Sequence, residues 1–432
     1  MNALVYTVGV VVFAVGLLAS IALHEVGHLY PAKKFGVKVT QYFVGFGKTV
    51  WSVRRGETEY GLKAFPLGGY VKLVGMLPPD KGDGQGRVRS SNTGLFTQLV
   101  ADARSAEYEL VQPGEEDRLF YRKAWWKKLI VMTGGPVVNI VLAVLLFFVL
   151  LVGIGAPTAT LTVAAVSDCV IPIVEKRAVC EPGDQVAPAK EAGLRPGDTI
   201  TSFNGRDVTS WGQLTDLIRS NADGDAEIGI VRDGQPMTLR ADTTVTARPD
   251  LTDPARNVEV GFLGVGPTSV YVRQGVGAVG STMWAYTKAT GEGIVHLPQR
   301  MVGVVDAAFG GERQVDSPMS VVGASRVAGE LVTADQTSTL DDAYALMSLL
   351  ATVNLFVALF NFVPLLPLDG GHIAGALWEG LRRGFARLTH RPDPGYVDVA
   401  KMLPVAYGVA GLLMAMGVLL IYADIVNPVR IN

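Results

Sequence analysis

Charged residues are scarce in this sequence. Only 18% of its 432 residues are Asp, Glu, Lys or Arg, 49% are apolar, and the mean hydropathy is +0.31. An ordinary soluble protein of this length carries more charge, so a purely water-soluble fold is excluded. The 38 basic and 40 acidic residues nearly cancel. The net charge therefore gives no indication of a nucleic acid partner, and none is expected.

Cysteine is also nearly absent. Cys169 and Cys180 are the only two in the chain, and there are only five histidines. Two cysteines cannot build a disulfide-rich scaffold, and the lack of a neighbouring histidine argues against a cysteine-based zinc site. The two cysteines either form a local disulfide or remain unpaired as small hydrophobic residues.

Long apolar runs account for the high hydropathy. Charge-free runs cover residues 4–23, 129–156, 343–368 and 402–423. Each is long enough to cross a hydrocarbon core, which needs about 20 helical residues. We therefore expect four transmembrane helices. The first run has no basic segment before it and no convincing cleavage site, so we expect it to stay attached rather than act as a signal peptide.

The distribution of charge predicts the orientation of the helices. Basic clusters lie just before the second run, at residues 122–128, and just after the third, at residues 382–387. Because basic residues accumulate on the cytoplasmic side, both loops are expected in the cytoplasm. Both termini and the acidic central region, which contains both cysteines, are then expected outside, where a disulfide can persist.

The fold class expected from these patterns is an α-helical polytopic membrane protein with four transmembrane helices. A β-rich, membrane-associated cytoplasmic segment and an extracytoplasmic α+β domain complete it. The expected segments are the first transmembrane helix (1–28), a cytoplasmic β-rich segment with a flexible polar insertion at 78–113 (29–126), the second transmembrane helix (127–156), the extracytoplasmic domain (157–250), a juxtamembrane region of uncertain fold (251–342), the third transmembrane helix (343–372), a cytoplasmic loop (373–401) and the fourth transmembrane helix (402–425).

The central domain has a recognisable order of motifs. A Gly-Leu-x-Pro-Gly-Asp turn at residues 193–198 precedes an alternating strand, an Asn-Gly hairpin signal and an amphipathic helix. This order resembles a PDZ domain of the kind found in bacterial envelope proteases. The resemblance implies either a filter that admits substrates already trimmed outside, or a domain that merely steadies the membrane core.

The first apolar run ends in the motif HEVGH. On a helix, His24 and His28 share a face, so both imidazoles can reach one Zn²⁺ while Glu25 points near the metal-bound water. The motif alone is short enough to arise by chance. Ionisable groups at the end of an apolar helix are costly unless paired, which favours a functional site over a histidine pair that only anchors the helix.

A catalytic zinc needs a third protein ligand. Asp369 is the acidic residue that ends the third apolar run, between two prolines and two glycines that break the helix. We expect its carboxylate to be presented from non-helical backbone. Parallel first and third helices would bring it to the same face as the histidines, and Asn139 at the start of the second helix would lie there too.

Several of these motifs together resemble the site-2 protease family of intramembrane zinc metalloproteases, in particular the bacterial branch that cleaves anti-sigma factors. The likeness is carried by HEVGH, GGPVVN, NFVPLLPLDGGH, GFGKTVW, FPLGGYVKL and SPMSVVG, and it covers most of the chain. The resemblance implies that His24, His28 and Asp369 hold one zinc ion per chain. It also implies that Glu25 is catalytic and that Asn361 positions substrate.

The family resemblance also implies partners and a location. It implies single-span membrane substrates such as anti-sigma factors, an upstream site-1-type protease that trims them first, and a multi-pass location in the bacterial inner membrane. The active site is then expected near the cytoplasmic face. The chain departs from some relatives in having one PDZ-like unit rather than two and in its insertion at 78–113.

A transmembrane substrate must unwind before it can be cut, because its carbonyls are held in helical hydrogen bonds. The segment around Gly69 and Tyr70 reads as a strand whose edge could pair with the unwound peptide, and Asn361 and Asn139 could hold the same peptide. The alternative for this strand is a simple cap over the site.

Two other functions compete with the intramembrane protease. One is a membrane-anchored zinc protease whose site lies in a cytoplasmic domain, and the other is a non-catalytic membrane scaffold that retains motif remnants. His372 follows Asp369 and is expected either to support that ligand or to form hydrogen bonds at a helix start.

Overall fold

A computed structural model of the protein describes residues 2–78, 104, 111, 113–172, 177, 179–222, 224–251, 256–311, 313, 317–333 and 338–429. The chain divides into two compact units, Met1–Leu150 with Val276–Ile431, and Leu151–Gly275. The predicted insertion at 78–113 lies almost entirely outside the described residues.

The elements are numbered here in chain order within the described part of the chain. The helices are α1 Asn2–Lys34, α2 Trp125–Phe148, α3 Pro188–Glu191, α4 Trp211–Ser220, α5 Gly277–Val295, α6 Leu297–Ala308, α7 Val321–Leu331, α8 Thr339–Asn361, α9 Asp369–Leu388 and α10 Leu403–Val426. The strands are β1 Val39–Arg55, β2 Thr58–Leu73, β3 Ala156–Val166, β4 Thr199–Phe203, β5 Arg206–Asp207, β6 Gly224–Arg232, β7 Gln235–Pro249, β8 Asn257–Phe262 and β9 Val265–Val272.

Four helices in the described residues are long and apolar enough to cross a membrane. They cover Ala3–Lys34, Trp125–Ile154, Thr339–Asn361 and Val399–Val426. These are the four runs found in the sequence. The first is longer than predicted, since α1 continues past residue 28 to Lys34 and so holds the whole HEVGH motif inside a regular helix.

The third predicted span, 343–372, ends earlier than expected. Helix α8 stops at Asn361, and a short non-helical segment leads to α9, which occupies much of the predicted cytoplasmic loop 373–401. Pro364 and Pro367 explain the break, because proline lacks the N–H that a continuing helix needs. The expectation that Asp369 lies on non-helical backbone was wrong by one residue: Asp369 is the first residue of α9.

The segment that was expected to be β-rich forms the long hairpin β1–β2. Residues 41–44 of β1 pair with residues 59–62 of β2 and also with residues 69–72 of the same strand. The two strands therefore fold into a sheet in which the start of β1 lies inside and residues 69–72 lie at an edge. In the described residues the register gives residues 69–72 partners only in β1.

One hydrophobic cluster joins this hairpin to three helices of the same unit. Its buried members come from α1, β1, β2, α2 and α9 and include Leu29, Val39, Leu73, Val131 and Ile373. Burial of large aliphatic side chains contributes about 1.5–3 kcal/mol each, so this cluster fixes the relative positions of the five elements. Those elements, together with α8, supply the residues described below.

The second unit is a seven-stranded sheet with order β8-β7-β6-β4-β3-β9, and β5 pairs with β4. Its core includes Ile200, Phe203, Leu214, Ile228 and Ile230. Strands β8 and β9 extend the unit to Gly275, so the predicted boundary at residue 250 falls too early. Short strands broken by glycines do not show a clear alternation of apolar and polar residues, so the end of the domain cannot be placed from the sequence.

Two local links stabilise this second unit. Cys169 and Cys180 form a disulfide. Asp198, in the predicted turn, is buried and accepts hydrogen bonds from Arg232, and these bonds hold the pKa of Asp198 below its ordinary value. The contribution of this ion pair to folding stability is complete above the unfolded-state pKa of about 3.9. It is lost as the pH falls through the lowered pKa of the folded state.

Candidate active site

Three side chains from two elements converge in the first unit. His24 and His28 lie one turn apart on α1, with their Nε2 atoms 3.3 Å apart. Asp369 Oδ2 lies 3.4 Å from His24 Nε2 and 3.3 Å from His28 Nε2. The three atoms thus form a nearly equilateral triangle.

The dimensions of this triangle fit a zinc ion. Tetrahedral zinc with ligand bonds of about 2.0–2.1 Å requires its ligand atoms to be about 3.3–3.4 Å apart. Asp369 Oδ2 is buried and has no hydrogen-bond partner among the described residues, as expected of an atom reserved for a metal. Cys169, Cys180 and Asp184 also cluster, but the disulfide occupies both sulfur atoms there.

The tautomer of His28 is fixed by a backbone contact. Its Nδ1 lies 2.8 Å from the carbonyl oxygen of Val131 on α2. A carbonyl only accepts hydrogen bonds, so Nδ1 donates the proton and the lone pair of Nε2 is free to bind a metal. The second helix therefore orients a histidine of the first.

Glycines let α1 and α2 approach closely beside these histidines. A Cβ at Gly134 would lie 1.9 Å from the carbonyl oxygen of Gly27. A Cβ at Gly135 would lie 2.3 Å from His28 Nε2 and 2.7 Å from His24 Nε2. The motif GGPVVN thus supplies the space in which the two imidazoles sit.

Glu25 lies on the same helix and is buried. Strand β2 lies directly against it, because a Cβ at Gly69 would be 2.8 Å from Glu25 Cγ. Glu25 forms no ion pair with a lysine or arginine in the part of the chain that the structure describes. Because an unpaired carboxylate is costly to bury, its position beside the histidine pair indicates a functional role rather than a structural one.

A cavity of about 630 Å³ unites these groups. It is lined by both histidines, Glu25 and Asp369, and by the remaining predicted site residues Asn139, Asn361, Gly69 and Tyr70. His372 lines it as well. The structure therefore places every residue of the predicted site in a single cavity, apart from the two cysteines of the other unit.

Asn354 was missed in the sequence. It lines the cavity from α8, is almost fully buried, and donates from Nδ2 to Ser20 Oγ on α1. Its Oδ1 has no partner among the described residues. An amide inside a run of apolar residues is the signal that could have found it.

The position of α9 depends on a buried ion pair that the sequence also did not indicate. Lys128 Nζ on α2 lies 2.6 Å from Glu379 Oε2 on α9, and both side chains are largely buried. Arg383 lies 3.3 Å from the other carboxylate oxygen. This pair fixes α9 against the helix whose Val131 orients His28, and so fixes Asp369 relative to the histidines.

Two histidines and an aspartate form a metal-sized triangle with a buried glutamate beside them, and this arrangement defines a zinc metallopeptidase site. The histidines and the glutamate lie on a helix apolar enough to span a membrane. Comparison of the sequence with known protein families identifies the family. The model of peptidase family M50 matches residues 12–391. The chain belongs to this family, the site-2 proteases.

Named relatives agree with this assignment. "Zinc metalloprotease Rip1" of Mycobacterium bovis is 33% identical over 441 residues, covering 99% of this chain and 100% of the relative. Rip1 of Mycolicibacterium smegmatis is 32% identical over 447 residues, with the same coverage. "Metalloprotease MmpA" of Caulobacter vibrioides is 24% identical over 398 residues, covering 87% and 88%. The chain is a zinc metalloprotease, and its apolar helices and family indicate an integral membrane protein.

Proposed function

We propose that the protein hydrolyses peptide bonds within transmembrane segments of membrane proteins, using one zinc ion held by His24, His28 and Asp369. The observation that supports this most directly is the triangle of ligand atoms with edges of 3.3–3.4 Å, whose two histidines lie in the last third of an apolar helix. When bound, a catalytic zinc polarises a peptide carbonyl and makes water nucleophilic near neutral pH.

Glu25 is the proposed general base. It would accept a proton from the attacking water and return it to the leaving amine as the peptide bond breaks. Its burial and its contact with β2 hold the carboxylate in the cavity and keep bulk water away from it. The tautomer of His28 needs no change during these steps, because Val131 already accepts its Nδ1 proton.

The position of the cut tests this proposal. The full chain reconstituted in lipid vesicles is incubated with a single-span membrane protein, and the products are mapped by mass spectrometry. We expect cleavage within the apolar span of the substrate. Cleavage confined to its soluble parts would instead favour a membrane-anchored protease with a cytoplasmic site.

The unwound substrate needs new partners for its backbone. Residues 69–72 of β2 form the sheet edge, Gly69 and Tyr70 line the cavity, and the edge passes beside Glu25. We propose that the substrate pairs with this edge as an additional strand. The side-chain amides of Asn139, Asn354 and Asn361 would then bind peptide groups on the other walls of the cavity.

Proline substitutions in β2 test strand addition. Along an edge strand, successive N–H groups point alternately toward the neighbouring strand and away from it. Of the variants Tyr70→Pro and Val71→Pro, one therefore loses an N–H that points toward β1, and the other loses an outward N–H that points away from the sheet. The variant that loses the outward donor keeps its pairing with β1. We expect it to lower kcat/KM for a membrane substrate by roughly fivefold, because one net hydrogen bond contributes about 1 kcal/mol. Zinc content should stay normal.

Ser52→Pro and Val53→Pro provide the matched control. Both residues lie near the end of β1, where they pair with Gly61 and Tyr60, and neither lines the cavity. If both β2 variants bind zinc and turn over substrate normally, β2 only covers the site and the strand-addition proposal is wrong.

For the second unit we propose a PDZ-type fold that lies outside the cell membrane and admits only pre-trimmed substrates. This proposal is supported by helix α4, which packs through Leu214 and Ile218 into the core of the sheet, and by the short helix α3, which adds Ala189 to the same core. The proposed substrates are anti-sigma factors trimmed by an upstream protease, and the proposed location is the bacterial inner membrane. The predicted segment boundaries, corrected as described above, are part of this proposal.

Excision of the unit tests the filter. Ala156 pairs with Val272, so the two ends of the sheet lie side by side, and a short linker can join Gly155 to Arg273. A deletion of 158–247 alone would leave β8 and β9 without their partners. We expect the excised enzyme to cleave untrimmed substrate that the full chain rejects. Equal rejection by both forms would contradict a filter.

A further inference from the structure

Helix α9 has a continuous exposed apolar face. Its five members are Leu377, Trp378, Leu381, Phe385 and Leu388, which are 45–79% exposed. At 3.6 residues per turn they fall within an arc of about 100°. The opposite face is buried and includes Ile373, Ala376 and Glu379.

The packing of α9 places this face near the end of a candidate span. A Cβ at Gly380 would lie 2.7 Å from the ring of Trp125, the first residue of α2, and Lys128 binds Glu379. Trp126 and Lys127 lie beside them and contact each other. Tryptophan and lysine at the end of an apolar span mark the boundary between hydrocarbon and headgroups. Helix α9 therefore packs against the part of α2 that belongs at this boundary.

The charges around the apolar face fit anionic headgroups. In helical projection, Arg382 lies about 40° beyond one side of the arc, and the exposed Arg387 lies about 80° beyond the other side. Glu379, the acidic residue between these positions, is buried against Lys128 and Arg383. Basic side chains thus flank the exposed face on both sides, with Arg382 nearer to it than Arg387.

From this arrangement we infer that the exposed face of α9 is a lipid-binding surface that docks into the anionic leaflet of the bilayer. The apolar side chains enter the boundary of the acyl chains, while the arginines bind lipid phosphates. The same helix begins with Asp369, so the docked lipid surface and the carboxylate at the histidine pair belong to one rigid element. The partner is the bilayer itself, a contact distinct from the substrate and from the cavity.

Site-directed spin labelling of the full chain tests this inference. A nitroxide is attached at Leu381→Cys, with Arg391→Cys beyond the helix as the matched control. Each variant is reconstituted in phosphatidylcholine vesicles with and without phosphatidylglycerol, and accessibility to oxygen and to a water-soluble nickel chelate is measured. The native cysteines are joined in a disulfide and do not react.

We expect the label at Leu381 to be accessible to oxygen and shielded from nickel, and the label at Arg391 to show the reverse. Phosphatidylglycerol should increase the depth at Leu381, and Arg382→Gln with Arg387→Gln should remove that increase. Nickel access at Leu381 in both vesicles would overturn the inference, and so would shielding from both reagents, which would indicate a covering protein copy. A depth that does not respond to phosphatidylglycerol would overturn the anionic preference. None of these readouts depends on proteolysis.

Discussion

Replacing Glu25 with glutamine is expected to lower kcat for a membrane substrate by about 10²–10⁴-fold, the usual contribution of a general base. Glutamine has nearly the same size, so the contact with Gly69 is kept and the cavity keeps its shape. The triangle of His24, His28 and Asp369 does not include Glu25, so bound zinc should stay at the wild-type level. Activity is measured on reconstituted enzyme, and zinc by elemental analysis.

Measuring activity and bound zinc separately distinguishes a general base from a zinc ligand. A scaffold with motif remnants would show no peptidase activity to lose. If Glu25→Gln turns over substrate at the wild-type rate, the base is another residue. If the variant loses zinc instead, Glu25 acts in metal binding, and the proposed division of roles is wrong.

The second large effect is expected at Gly135. Alanine there would place its Cβ 2.3 Å from His28 Nε2 and 2.7 Å from His24 Nε2, where both imidazoles present their free nitrogens. Moving α2 away from the added methyl would break the close backbone contact between Gly134 and Gly27. We expect zinc affinity and activity to fall by at least about 10–100-fold, as for other groups that orient metal ligands.

Gly411→Ala is the matched control for Gly135→Ala. Gly411 also lies in a candidate span, but a Cβ there meets nothing within 4 Å. The control should bind zinc and cleave substrate like the wild type, while both variants should keep wild-type helical content by circular dichroism. Normal zinc binding by Gly135→Ala would show that the imidazoles do not bind metal in this arrangement.

Local patterns in the sequence identify most residues of the candidate site. The i, i+4 spacing of HEVGH fixes the two imidazoles on one face of α1, and a carboxylate at the end of an apolar run is unusual enough to identify Asp369. The four apolar helices followed from length and composition. These features are encoded within a few neighbouring residues, so they can be found without knowing the tertiary structure.

Features that depend on distant contacts were missed. The pairing of β1 with two parts of β2 is a non-local register. Helix α9 contains five glycines and reads poorly as a helix, but Gly370 fits under the Val363 carbonyl and Gly380 fits against Trp125. Tertiary packing thus overrides helix propensity. Glu379 lies in the predicted loop 373–401, and its buried partner Lys128 is 251 residues away in the chain, so no local pattern indicates the pair.

Anomalous diffraction at the zinc absorption edge, from crystals of the full chain, would test the central claim most directly. The account predicts one peak per chain, about 2 Å from His24 Nε2, His28 Nε2 and Asp369 Oδ2. A peak at any other site, or a peak beside the imidazoles with Asp369 turned away from it, would contradict it.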